Sequence, residues 1–151
     1  MDFERSGSLD VLQRLFRGRI LVSDFVEHEL NVTSITLPDA EVIALTSDED
    51  WQFFIQLREG RPGLGLGETG AMAVARCKGA TVLTNDSLAR NCADEFGIPV
   101  SGAIGVLEYA IEIGEITAKE GVRILEDMIR AGAWISEDLV AMFRQRVSEL
   151  G

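Results

Sequence analysis

Short apolar runs alternate along the chain with longer stretches whose hydrophobic residues recur every three or four positions. That alternation predicts strands separated by helices. Ser8 precedes Leu9, Leu12, Leu15 and Phe16 and reads as the cap of a first helix that closes near Gly18. Arg19 to Val22 reads as a short buried strand, and Ser23 and Asp24 open a second helix carrying Phe25, Val26 and Leu30. Ile35 to Leu37 reads as a second strand, stopped by Pro38. Ser47 and Asp50 resemble a capping box, with Asp in place of Glu, ahead of Trp51, Phe54, Ile55 and Leu57.

A glycine-rich loop then leads into a helix from about Gly67 to Lys78, which Gly79 ends. Ala80 to Thr84 is the clearest strand. A helix from Ser87 to Phe96 follows, then Gly97 and a short strand over Ile98 to Val100. The last third is helical. One helix spans roughly Ala103 to Ile113. A second opens on the capping box Thr117 and Glu120, carries Val122, Leu125 and Ile129, and runs to Gly132. A third opens at Ser136 and carries Leu139, Val140, Phe143 and Val147. The pattern predicts an α/β fold with a parallel sheet. In such folds, sites gather beyond the carboxyl ends of the strands.

The length of 151 residues suits one domain, and no internal repeat or linker divides it. Acidic residues outnumber basic ones by 25 to 14, a net charge of −11. That balance argues against tight binding of bare nucleic acid, but not against meeting phosphates through a metal. No run approaches 18 apolar residues, so no transmembrane helix is expected. Met1 to Arg5 shows no signal-peptide pattern, and a cytoplasmic protein is expected. Cys77 and Cys92 lack the spacing of a zinc site and read as two small buried thiols. A single His28 excludes any site built on two histidines.

Three acids fall where the fold would place a site. Asp86 follows the strand ending at Thr84, Glu68 stands in the first turn of the helix after the glycine-rich loop, and Glu29 lies on the helix after the first strand. Three carboxylates at one sheet edge would hold a hard cation such as Mg²⁺ or Mn²⁺. Each also has a plainer reading. Glu68 suits a helix N-terminus on dipole grounds, Asp86 suits a cap, and Glu29 suits a solvated face. Gly65-x-Gly67-x-x-Gly70 matches a dinucleotide fingerprint in outline. A helix and loop precede it, however, and position 90 is Arg, so the context that such a site needs is missing. The glycines read instead as letting the backbone turn tightly and bringing the helix close to the sheet.

The stretches Ile20 to Leu30, Leu64 to Ala75 and Gly79 to Arg90, with Gly97 to Leu107 behind them, resemble the PIN-domain nucleases in order and spacing. This is the fold of many ribonuclease toxins of toxin–antitoxin pairs. The resemblance covers nearly the whole chain, taken as a single domain over residues 1–151. It implies a three-layer fold with a central parallel sheet flanked by helices, and metal-dependent cleavage of RNA. Carried over position by position, Glu29, Glu68 and Asp86 are three of the family's four metal-site acids, for Mg²⁺ or Mn²⁺. It further implies an antitoxin as partner and a homo-oligomer.

The family's first acid sits on an N-terminal strand that this chain is expected to lack, and Asp2 is not expected to replace it. A start codon assigned too late is the favoured reading, ahead of a true truncation or a partner chain that fills the gap. Glu108 is an auxiliary candidate, with an exposed helix acid as its plain reading. Arg61 and Arg90, with Arg76 and Lys78, would line a groove for an RNA backbone, or are scattered surface charges. Asp94 and Glu95 oppose phosphate there. Trp51, Phe54, Ile55 and Trp134 read as core. The alternative function is a catalytically degenerate PIN-like module kept for its interactions alone.

Overall fold

Gly18 to Val100 and the two chain ends flanking that stretch form two compact units in the computed structural model. It describes residues 9–32 and 40–150, with residues 9, 10 and 29–32 described as backbone. Asp2, the predicted cap Ser8, the predicted strand Ile35 to Leu37 and the side chain of Glu29 therefore lie outside the described residues.

In the first of these units, β1 (Leu21–Ser23) leads into α1 (Asp24–Val32), and β2 (Glu41–Ile43) returns parallel to β1. Leu21 lies opposite Glu41 and Ser23 opposite Ile43. The parallel register needs a crossover, and α1 supplies it. Next come α2 (Asp48–Gly60), α3 (Leu66–Lys78), β3 (Val82–Leu83) and α4 (Ser87–Glu95). β4 (Val100–Ser101) pairs with β3, and beside it the Val82 N–H donates to Pro99 O at 2.9 Å.

Among the described residues the strands form two pairs, β1–β2 and β3–β4. β2 has no counterpart in the sequence reading, because three residues carry too little periodicity to register. The core joins Ile43, Phe53, Leu57, Met72, Val82 and Ile98.

Local signals set several boundaries. The Ser47 hydroxyl accepts from the Asp50 N–H at 3.1 Å, as its capping pattern predicts. Gly79 closes α3 in the left-handed region at φ +65°, where its N–H reaches Ala75 O. A side chain there would strain the backbone.

Two predicted core positions are corrected. Trp51 is 38% exposed and Ile55 49%, whereas Phe53, Phe54 and Leu57 face inward. The buried stripe of α2 is rotated by about one residue, little more than a quarter of a turn, and the Trp51 indole N–H finds a partner, Leu45 O at 3.0 Å, at the boundary of the core.

The other unit gathers α5 (Leu9–Leu15), α6 (Ala103–Glu112), α7 (Ala118–Arg130) and α8 (Glu137–Leu150). Here α5 is first in the chain and is numbered with the helices that it joins. The core of this unit comprises Val11, Leu107, Ile124, Leu125, Met128 and Phe143, among others. Gly121 admits a close approach of α7, since a Cβ there would lie 2.6 Å from Ile111 Cδ1. Trp134 is 77% exposed, so its predicted core role is also corrected. It stands in the loop before α8, where no helical face turns it inward.

The predicted capping box of α7 is complete. The Thr117 hydroxyl accepts from the Glu120 N–H at 3.1 Å, and the Glu120 carboxylate accepts from the Thr117 N–H at 2.7 Å. Thr117→Ala is expected to cost about 1 kcal/mol, read as a lower melting temperature. The hydrogen bond from Thr117 holds the Glu120 carboxyl below its ordinary value. Its contribution is therefore complete above the unfolded-state value and is lost as pH falls through the folded-state value. Melts of the wild type and Glu120→Gln are expected to differ at neutral pH and to converge in acid.

The cysteines divide. Cys92 is buried, as expected, whereas Cys77 is exposed on α3, contrary to the expectation of two buried thiols. The bond to Asp50, with a smaller part from burial, raises the Cys77 thiol. A thiol reagent is expected to label one cysteine in the native protein, faster as pH rises, and the second only on unfolding. Labelling of both at equal rates in the folded state contradicts this burial.

Candidate metal site

Asp86 stands three residues beyond the end of β3 and caps α4. One carboxylate oxygen, Oδ2, accepts from the Ala89 N–H at 2.8 Å, while the Asp86 N–H donates to Thr84 Oγ1 at 3.1 Å. The residue is exposed. Its position follows from local chemistry, because an Asp at a helix N-cap satisfies an orphan backbone donor and meets the positive end of the helix dipole.

Glu68 sits at the third position of α3. Its Oε2 accepts from the Gly65 N–H at 3.1 Å, which ties the glycine-rich loop to the helix that it precedes. Thr69 is buried behind it and donates to Gly65 O at 2.8 Å. Glu68 itself is half-buried.

Both plainer readings therefore hold: each acid is a helix-terminal acceptor. Neither role uses the whole group. Each cap occupies one carboxylate oxygen and leaves the other without a described hydrogen-bond partner. The backbone of Glu29 lies in α1, directly after β1. Among the described residues no group of three His, Cys, Asp or Glu side chains stands together as a cation site. The donor chemistry suits a hard divalent cation, since the candidates offer carboxylate oxygens only.

The basic candidates are placed differently. Arg61 forms an ion pair with Glu95, donates to Gly60 O at 3.2 Å, and lies 5.9 Å from the Phe96 ring centre. The hydrogen bond that it donates to Glu95 raises its guanidinium value further. An arginine neutralised in this way is a weaker phosphate ligand than a bare one.

Arg90 donates to Thr84 O at 3.1 Å, one helical turn beyond Asp86. It braces the loop that presents the acid and retains further N–H donors. Arg76 lies over the Phe53 ring at 4.2 Å. In the other unit, Glu108 accepts from Arg146 at 2.7 Å, and this ion pair engages the auxiliary candidate within its own unit.

Ser23 has no place in the sequence reading of the site, and Gly70 enters that reading only among the glycines that bring the helix close to the sheet. Ser23, 2% exposed, ends β1 and accepts from the Val26 N–H at 3.1 Å. Gly70 stands two residues past Glu68 with no room for a side chain: a Cβ there would lie 2.7 Å from Phe25 Cδ2 and 2.9 Å from Ser23 Oγ. The signal for Ser23 was its capping position. Gly70, the third glycine of the Gly65-x-Gly67-x-x-Gly70 pattern, lies within α3, and its close approach accords with the reading that these glycines bring the helix close to the sheet.

No curated protein and no solved structure matches the chain. A family profile described as a PIN domain matches residues 1–149, and such domains have nuclease-type functions in general. The match takes in β1 through β4 and all three candidate acids, and the chain belongs to the PIN-domain family.

Proposed function

We propose that this chain is a metal-dependent endoribonuclease in which Glu29, Glu68 and Asp86 hold Mg²⁺ or Mn²⁺. The observation that carries the reading is the placement of Glu68 and Asp86. Each stands at a helix start, with one carboxylate oxygen outside its capping bond, where the resemblance in sequence implies an acid of the metal site. When bound, the cation activates water and neutralises charge on a phosphodiester. The chain's own contribution is to fix the acids. The Gly65 N–H orients Glu68, the Ala89 N–H orients Asp86, and Arg90 holds the strand-end loop through Thr84. Such preorganisation removes the need to gather carboxylates when the metal binds. Arg90 meets the RNA backbone, and Arg61 contributes to the same contact once Glu95 releases it.

The reading includes the family's three-layer arrangement around a parallel sheet, in one domain. It also includes the role of toxin in a toxin–antitoxin pair in the cytoplasm. An antitoxin or a second copy of the chain would cover exposed apolar side chains such as Trp134. Among the described residues, no helix is long and apolar enough to cross a membrane.

The test is cleavage of a mixed-sequence RNA by the purified chain in Mn²⁺, beside the same reaction in EDTA. Cleavage in Mn²⁺ that EDTA abolishes is the expected result. No cleavage in Mn²⁺ or Mg²⁺ favours the interaction module, to which the complete capping roles of both acids are equally suited.

A further inference from the structure

We propose, on the three-acid reading above, that Gly70 is a positioning residue for the metal site. Its bare face sets the spacing between the helix that carries Glu68 and the strand–helix corner that leads to Glu29. The helix α3 packs against both β1 and α1. At that contact, the space where a Cβ of residue 70 would stand is taken by Phe25 Cδ2 at 2.7 Å and Ser23 Oγ at 2.9 Å.

Neither neighbour is free to give way. The Ser23 hydroxyl is held by the Val26 N–H, and the Phe25 ring stacks on Phe54 with centroids 4.9 Å apart. A methyl group at position 70 therefore displaces the helix rather than the corner. Glu68 lies only two residues away, about 3 Å along the helix axis, so it moves with Gly70. Metal–oxygen distances tolerate shifts of about 0.2 Å, well under the displacement that such a clash demands. The corner is continuous with α1, which carries the backbone of Glu29. A change at Gly70 thus acts on the separation of two acids without touching either.

The experiment titrates Mn²⁺ into the full chain and reads free Mn²⁺ by electron paramagnetic resonance, with circular dichroism on the same samples. The wild type sets the reference: failure to bind Mn²⁺ there overturns the metal-site reading itself. Given wild-type binding, Gly70→Ala is expected to stay folded and to raise the Mn²⁺ dissociation constant at least about tenfold. Gly121→Ala places an equally tight methyl in the other unit, 2.6 Å from Ile111 Cδ1, and is expected to bind Mn²⁺ as the wild type does.

Adding Phe25→Val and Ser23→Ala to Gly70→Ala removes both clashing atoms and is expected to restore much of the affinity. A folded Gly70→Ala that binds Mn²⁺ like the wild type overturns the inference, as does an equal loss in Gly121→Ala. If Gly70→Ala alone does not fold, Gly70→Ala/Ser23→Ala retains the Phe25 contact and is expected to show the same weakening. Wild-type affinity in that variant overturns the inference equally.

Discussion

Asp86→Asn is expected to leave the protein folded at close to wild-type stability and to lower metal-dependent RNA cleavage by at least about a hundredfold. The two effects separate because Asp86 performs two tasks with one side chain. As a cap it needs a single acceptor for the Ala89 N–H, and Asn supplies that as well as Asp does. The lost charge at the helix start costs about 0.3–1 kcal/mol, close to what a melt can resolve. As a metal ligand it needs an anionic oxygen, which Asn lacks.

Glu68→Gln makes the same separation on α3, since Gln also serves in a capping box and keeps an acceptor for the Gly65 N–H. Asp86→Ala removes both tasks and is expected to lower stability by about 1 kcal/mol besides. Thermal melts and cleavage rates on the three variants decide the matter. Unchanged cleavage by folded Asp86→Asn removes Asp86 from the metal site and leaves it a cap only.

The capping pairs were legible because they are local. Ser47 with Asp50, Thr117 with Glu120, and Gly79 after Lys78 each act within a few residues, and the structure repeats each one. The helix-terminal placement of Glu68 and Asp86 was legible for the same reason, since a carboxylate at a helix start is a short-range pattern. What escaped was set by tertiary contacts. The Trp51, Phe54 and Ile55 spacing fits a helical face, but which face turns inward depends on what packs against it. The ion pair that occupies Arg61 joins residues 34 positions apart, and no local signal announces it. The short strand β2 holds through its register with β1, not through its own three residues. At Gly70 the glycine pattern marks a close approach of helix and sheet, but not the two side chains, Phe25 and Ser23, that crowd it.

Phe143→Ala is expected to cost about 3–5 kcal/mol, the largest single loss of stability anticipated for this chain. Its ring is fully buried on α8 and packs in the core with Leu107, Leu125 and Met128. Truncation forfeits the transfer free energy of the ring and leaves a cavity, so the size of the loss turns on how well neighbours refill it. One wall resists refilling. Gly121 has no side chain to swing inward, and a Cβ there would stand 3.6 Å from the end of the Phe143 ring. The loss is therefore expected in the upper part of the range.

Native proteins are stable by about 5–15 kcal/mol, so the variant stays folded at low denaturant or falls close to the threshold. The urea midpoint is expected to drop sharply with little change in slope. Leu139→Ala on the same helix is the internal comparison. Leu139 is 49% exposed, and its loss is expected to shift stability by no more than about 0.5 kcal/mol. Equal losses at positions 139 and 143 contradict the orientation of α8, because the helix propensities of Leu and Phe differ by only about a few tenths of a kcal/mol, far less than burial separates the two positions.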